Sequence, residues 1–215
     1  MKINIKKSIF ATNDREAAAV RKKLAGLQLA AVNILASPGA GKTSLILRLL
    51  KELSKKLSVG VIEGDVASTI DTEKIQAAGF PAVQINTDGG CHLTASMIGP
   101  AVDKLGLQGP GIVFIENIGN LICPVEYDLG EGLRLVVASV PEGDDKPIKY
   151  PAVFQSADAI VINKADLLDR SDFDLDTFTS RVRVLNELAP LFPLSCKTNS
   201  GVDPLIAWLA RQLTS

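Results

Sequence analysis

The chain is predicted to adopt an α/β fold, a mostly parallel sheet flanked by helices, and three observations predict it. Short apolar runs alternate along the chain with stretches of helical periodicity, the pattern of doubly wound sheets. "GIVFIEN", "LRLVVASV" and "DAIVINKAD" are almost continuously apolar, as strands covered on both faces must be. A glycine-rich stretch, "SPGAGKTS", falls between an apolar run and a helical one.

Composition narrows the function classes. Of the 215 residues, 47% are hydrophobic and 22% charged, which suits a soluble domain with one large core. The 23 basic and 24 acidic residues leave a net charge of -1, so no nucleic-acid footprint or polybasic membrane patch is expected. No apolar run approaches the roughly 20 residues that span a bilayer. The basic start "MKINIKKSIF" lacks a long apolar stretch, so no signal peptide is expected. Cys91, Cys123 and Cys196 are odd in number and far apart, which fits a reducing cytoplasm better than a disulfide scaffold. The economical reading is a single domain over 1–215, with 1–28 as an N-terminal helical segment.

The elements follow in order. Asn13 or Asp14 is positioned to cap a helix through "REAAAVRKKLAGL". "AAVNILA" reads as a strand, "SLILRLLKELSKKL" as a helix and "SVGVIEGD" as a strand ending on acidic residues. "TIDTEKIQAAG" reads as a helix stopped by Gly79, "PAVQINT" as a strand and "HLTASMIGPAVDKLG" as a helix that Pro100 kinks or breaks. After the three apolar strands come a helix over 178–190, a short strand "LFPLS", and a closing amphipathic helix "DPLIAWLARQL" with Trp208 on or near its core side.

"SPGAGKTS" matches the end of the phosphate-loop pattern G-x-x-x-x-G-K-[ST] in the strand-to-helix setting that pattern requires. Ala36 stands where the first glycine belongs, which alanine can do at negative φ. Pro38, Gly39, Ala40, Gly41 and Ser44 form the rest of the loop, whose backbone amides would curl round phosphate oxygens. Lys42 would reach the β- and γ-phosphates, and the Thr43 hydroxyl would ligate Mg²⁺. The competing reading is a glycine-rich turn with an incidental Lys-Thr.

The base is read from "INKAD". Asp166 can accept from the N1–H and 2-amino group of guanine, and adenine would leave that carboxylate unpaired. Asn163 would brace the loop and Lys164 lie along the base. The later "SCKT" resembles a second guanine loop, supplying Ser195, Cys196 and Lys197. GTP and GDP are therefore the expected nucleotides, with GTP hydrolysis the expected activity. Three carboxylates compete for Mg²⁺ or the attacking water. Glu116 ends an apolar strand, Asp65 ends another, and Asp71 lies in a segment resembling the D-T-x-R-x-A-A switch of signal-recognition-type GTPases. Each alone could instead be a helix cap or a surface charge, and Asp71 is placed to cap the helix that follows. Lys42, Asp71 and Glu116 are the expected catalytic residues.

"SPGAGKTS", "VIEGDVAS", "VQINTDGGCHL", "FIENIGNLICPVEYDLGE", "EGDDKPIKYP" and "VINKADLL" together resemble the HypB family. These are GTPases that help insert nickel during nickel–iron hydrogenase maturation. The resemblance implies a P-loop NTPase of the signal-recognition/MinD-like class, a GTP-dependent homodimer, and partners among other hydrogenase-maturation proteins. It also implies that Lys149, in a loop with Lys146, approaches the partner subunit's nucleotide. The C-x-x-C-G-C motif of some members and any His-rich tract are missing from the sequence. Asp88-Gly89-Gly90 and Thr94 depart from the usual residues flanking Cys-His.

His92 is the chain's only histidine, and it directly follows Cys91. With Cys123, seven residues beyond Glu116, the pair makes a soft N/S set suited to Ni²⁺ or Zn²⁺. One subunit supplies three ligands, and the resemblance implies that a dimer completes the site. The alternatives are a urease-type nickel accessory GTPase, and a regulatory GTPase in which both cysteines are structural.

Overall fold

A computed structural model describes residues 5–212, with the side chains of residues 5–9 left aside. One sheet of seven strands carries the molecule: β1 (Leu29–Ala36), β2 (Ser58–Asp65), β3 (Ala82–Asn86), β4 (Gly111–Glu116), β5 (Leu133–Ser139), β6 (Ala159–Asn163) and β7 (Leu191–Pro193). The order is β3-β2-β4-β1-β5-β6-β7, and every pairing is parallel. The helices are α1 (Ile5–Gly26), α2 (Lys42–Leu53), α3 (Ile70–Ala77), α4 (Ala95–Leu105), α5 (Lys146–Lys149), α6 (Pro151–Gln155), α7 (Leu175–Leu185) and α8 (Val202–Gln212).

The strands are apolar on both faces because helices cover both. Alternate residues such as Ile34, Val61, Phe114 and Val137 pack under α2, α3 and α8. Their neighbours go the other way. Ala31, Ile62, Val113 and Ile115 meet α1 and α4, while Val136, Ala138, Ile160 and Ile162 meet α6 and α7. Trp208 is partly buried against the first of these cores, as its helical position predicts.

Topology positions the site. β4 slots between β1 and β2, so the carboxyl ends of these three strands lie side by side. In doubly wound sheets this edge, where the winding changes direction, is where ligands bind.

Four expectations are corrected. Asn13 does not cap its own helix, because α1 starts well before it. Asn13 is instead buried within α1, donates to the carbonyl of Asp128 (2.8 Å), and accepts from the Ala95 amide (3.0 Å), so it caps α4 from a distance. The helix expected from His92 begins at Ala95, leaving Cys91 and His92 in the connection after β3, while Pro100 is accommodated inside α4. The helix expected over 178–190 runs Leu175–Leu185, started by Asp174, whose carboxylate accepts from the Thr177 amide. The Lys146–Lys149 loop is helical. Pro147 and Pro151 each fall in a first turn, where proline's fixed φ and missing N–H suit a helix.

Candidate functional site

The phosphate loop leaves β1 at Ala36, which is buried and is not among the residues with positive φ, so the missing glycine costs nothing there. Gly39 (φ 77°) and Gly41 (φ 98°) are in the left-handed region, where glycine is the unstrained choice. Gly41 also has no room for a side chain, since a Cβ would collide with Asn163 Nδ2. Lys42 and Thr43 open α2, so the helix N-terminus faces the loop. Gly119, just beyond β4, is also tightly packed, though less so: a Cβ there would lie 3.0 Å from Pro38. The segment after Glu116 therefore packs directly on the phosphate loop.

The base loops are tied to that loop. Asn163 is buried, donates to Ala40 O (2.9 Å), and accepts from the amides of Lys164 (2.8 Å) and Cys196 (3.3 Å). One side chain thus joins three loops, the bracing role its sequence position predicts. Lys164 has φ 61° and reaches Gly39 O (2.7 Å). Ser195 is buried and donates to Asp166 Oδ1 (2.6 Å). Gly41, Ser44, Asp166, Cys196 and Lys197 line one cleft of about 290 Å³ between the loops. Burial pushes the Cys196 thiol up to about 11, so it is a neutral part of the wall.

The carboxylates sort differently from expectation. Among the described residues, one trio has ligand atoms all within 4.8 Å of one another: Glu63, Asp71 and Glu116. Glu116 Oε1 accepts from Thr43 Oγ1 (2.9 Å), while its Oε2 is buried with no hydrogen-bond partner. Burial pushes Glu116 up to about 7, against the pull of Lys42 and Thr43. Burial, then the charge of Glu116, pushes Glu63 up to about 8. Asp71 lies at the rim and pairs with Lys74 (2.8 Å). It is the second residue of α3, whose N-cap is Thr69, so Asp71 does not hold the N-cap position.

Asp65 is not in the trio; its Oδ1 accepts from the amides of Ala67 (2.9 Å) and Ser68 (2.7 Å). Burial raises its pKa, but these amides prevail and lower it. Sequence reasoning chose Asp65 for ending its strand and missed Glu63. The signal was present: a charge inside a strand apolar on both faces needs a partner or a ligand. A buried, unpartnered oxygen beside a hydroxyl and two further carboxylates is a hard-oxygen set that fits Mg²⁺.

The Cys-His pair meets Cys123. Cys91 Sγ lies 3.6 Å from His92 Nδ1. Metal–ligand lengths of roughly 2.3 Å to sulfur and 2.0 Å to nitrogen allow that separation for two atoms on one ion. Hydrogen bonding to the Cys123 thiol, then burial, raises the Cys91 pKa. Burial lowers His92, against the charge of Glu126, and this favours the neutral imidazole a metal needs. Asn120 donates to Cys91 O (3.3 Å), fastening the segment after β4 to the Cys-His loop. The three ligand atoms do not close to within 4.8 Å of one another.

Lys149 is exposed on α5 and pairs with Asp145 (2.5 Å). Within the chain it is Lys146, not Lys149, that contacts the phosphate loop, at Ser37 Oγ (3.3 Å). The sequence placed both lysines together and did not single out Lys146.

Comparison with known proteins identifies the family. Residues 30–193 match the family described as CobW/HypB/UreG, nucleotide-binding domain. The hydrogenase maturation factor HypB of Azotobacter vinelandii is 42% identical over 98% of this chain and 69% of its own length. The crystal structure of HypB from Archaeoglobus fulgidus superposes with a TM-score of 0.88 at 38% identity, over 94% of this chain and 99% of that one. HypB from Helicobacter pylori, solved in complex with nickel, gives 0.89 at 35% identity over 94% and 95%. No helix of the described residues is long and apolar enough to cross a membrane. The chain belongs to the CobW/HypB/UreG family of P-loop GTPases, and within it to the HypB hydrogenase maturation factors.

Proposed function

We propose that this chain hydrolyses GTP in the cytoplasm and uses the GTP state to control a nickel site shared between two copies of itself. The observation that carries the reading is the short connection between the two centres. Seven residues lead from Glu116 to Cys123, and within them Gly119 packs on Pro38 while Asn120 holds the Cys91 carbonyl.

In this reading the amides of residues 39–44 cradle the phosphates and Lys42 neutralises charge developing on the γ-phosphate. Asp166, held by Ser195, reads guanine; Asn163, Lys164, Cys196 and Lys197 complete the base site. Thr43, Glu116, Asp71 and the newly found Glu63 are the residues that would hold Mg²⁺. When bound, the ion neutralises phosphate charge. Asp71, at the rim, orients the attacking water. Asp65 shapes the turn after β2 and stands beside the trio.

Cys91, His92 and Cys123 take Ni²⁺, or Zn²⁺ in its place, as cargo. Three donors from one chain leave coordination to be completed across a homodimer, in which Lys149 approaches the other copy's nucleotide. Ordering of the segment after Glu116 by GTP changes the metal site, and hydrolysis releases the ion towards another maturation protein. All of this is assigned to one unit spanning the chain. Phosphate release from GTP and ATP by purified protein with Mg²⁺ tests the enzymatic part. GTP turnover without ATP turnover is expected, and equal turnover contradicts it.

A further inference from the structure

The His92 ring lies flat against Tyr127, with ring centroids 3.9 Å apart and planes at 20°. The torsion that turns an imidazole is broad, so its direction is set by what the ring packs against. Tyr127 directly follows the 3-10 turn Cys123–Glu126, so the ring that meets His92 and the Cys123 thiol share one short stretch.

That stretch is held from beneath. Arg134 donates to the carbonyls of Val125 (3.0 Å) and Tyr127 (3.1 Å), and its Nε donates to Glu131 Oε1 (2.7 Å). Glu131 also accepts from Asn33 (3.2 Å) and the Leu129 amide (2.7 Å). Asn33 in turn accepts from Asn117 (3.2 Å), the residue after Glu116. Glu131, Asn33 and Asn117 are all buried. A buried polar chain of this kind is costly unless every member is bonded, and when bonded it fixes position more than it adds stability.

We propose that Tyr127, clamped through its carbonyl by Arg134, which Glu131 in turn holds, is a positioning residue that orients His92 for a transition-metal ion shared with Cys91 and Cys123. The inference rests on the metal-site reading above. The ring face does the work, so the phenol oxygen is dispensable. The planar guanidinium fork is not, because it holds two carbonyls and a carboxylate that an ammonium cannot bridge together.

The test is titration of the whole chain with Ni²⁺ against a competing chelator, and with Co²⁺ for its visible spectrum. The proteins are the parent, Tyr127→Leu, Tyr127→Phe, Arg134→Lys, His92→Ala and Cys91→Ala. Tyr127→Leu should weaken Ni²⁺ binding about 10-fold or more, the usual scale for losing a group that orients a ligand. Its Co²⁺ spectrum should shift towards that of His92→Ala. Tyr127→Phe should stay within about twofold of the parent, and Arg134→Lys should weaken binding in the same direction as the leucine variant. Parent-like affinity and spectrum in Tyr127→Leu, with His92→Ala impaired, overturns the proposal, as does a phenylalanine variant as weak as the leucine one. Should circular dichroism show Tyr127→Leu misfolded, Arg134→Lys decides, and parent-like binding by it is a refutation. If His92→Ala and Cys91→Ala both bind as the parent does, the metal-site reading itself fails, and this inference with it.

Discussion

Glu63 and Glu116 stand directly opposite each other on the adjacent parallel strands β2 and β4, each about 2% exposed. Burial, then the charge of Glu116, pushes Glu63 up to about 8, and burial pushes Glu116 up to about 7 against the pull of Lys42 and Thr43, from 4.5 for a free side chain. The folded protein therefore binds these protons more tightly than the unfolded chain does. Their contribution to stability is fully present below about pH 4.5 and is lost as pH rises through 7 to 8. Without nucleotide or metal, the melting temperature should fall from pH 5 to pH 8.5, and Glu63→Gln should flatten that fall. Thermal melts of both proteins check this, and identical slopes would contradict the placement of the pair.

Guanine choice rests on Asp166. Asp166→Asn presents amide donors where the base offers N–H groups, so GTP affinity should fall by about 1.5–3 kcal/mol, the worth of a charged hydrogen bond. Ser195, which donates to Asp166, should not rescue it. Fluorescent-nucleotide titration reads the change, and equal binding by variant and parent removes the assignment.

Lys42→Ala and Asp71→Ala should both abolish hydrolysis, for different reasons. The first loses phosphate affinity; the second keeps nucleotide binding. Because Asp71 is not the N-cap and its pair with Lys74 is solvent-exposed, its loss should cost at most about 1 kcal/mol of stability. An Asp71→Ala protein with full turnover would show that the carboxylate has only a structural part.

Lys149 is paired locally with Asp145 and exposed. Lys149→Ala should weaken GTP-dependent dimerisation and leave nucleotide affinity of the monomer nearly unchanged. Sedimentation with a non-hydrolysable GTP analogue measures it; an unaltered dimer fraction counts against a role across the interface.

Motifs written in consecutive residues are legible in the sequence: the loop 36–44, the strand ending at Asn163, and Cys91-His92. Their geometry depends only on a strand end and a turn. Contacts set by register were not readable. Glu63 meets Glu116 because β4 inserts between β1 and β2, which the chain order does not state. Asn13 resembles a local cap, yet it bonds Ala95 and Asp128, more than 80 residues away. Tyr127 lies in a stretch without periodicity and Arg134 near the start of β5, so the stacking of Tyr127 on His92 and the hold of Arg134 on the Tyr127 carbonyl show only once the sheet is assembled.

The central claim is that nucleotide and metal act on one dimer. Its most direct measurement is the Ni²⁺ affinity and stoichiometry, with molecular mass, of the parent and of Cys91→Ala, His92→Ala and Cys123→Ala, with and without a GTP analogue. The parent should bind Ni²⁺ more tightly when the analogue is present, and metal should raise the dimer population with GTP by the same factor, since linkage is reciprocal. Affinity should fall as pH drops, because the thiols and imidazole must release protons to bind. Each variant should lose metal and keep GTP. A parent that binds Ni²⁺ equally well as a monomer, with Cys123→Ala unchanged, would contradict a shared site under nucleotide control.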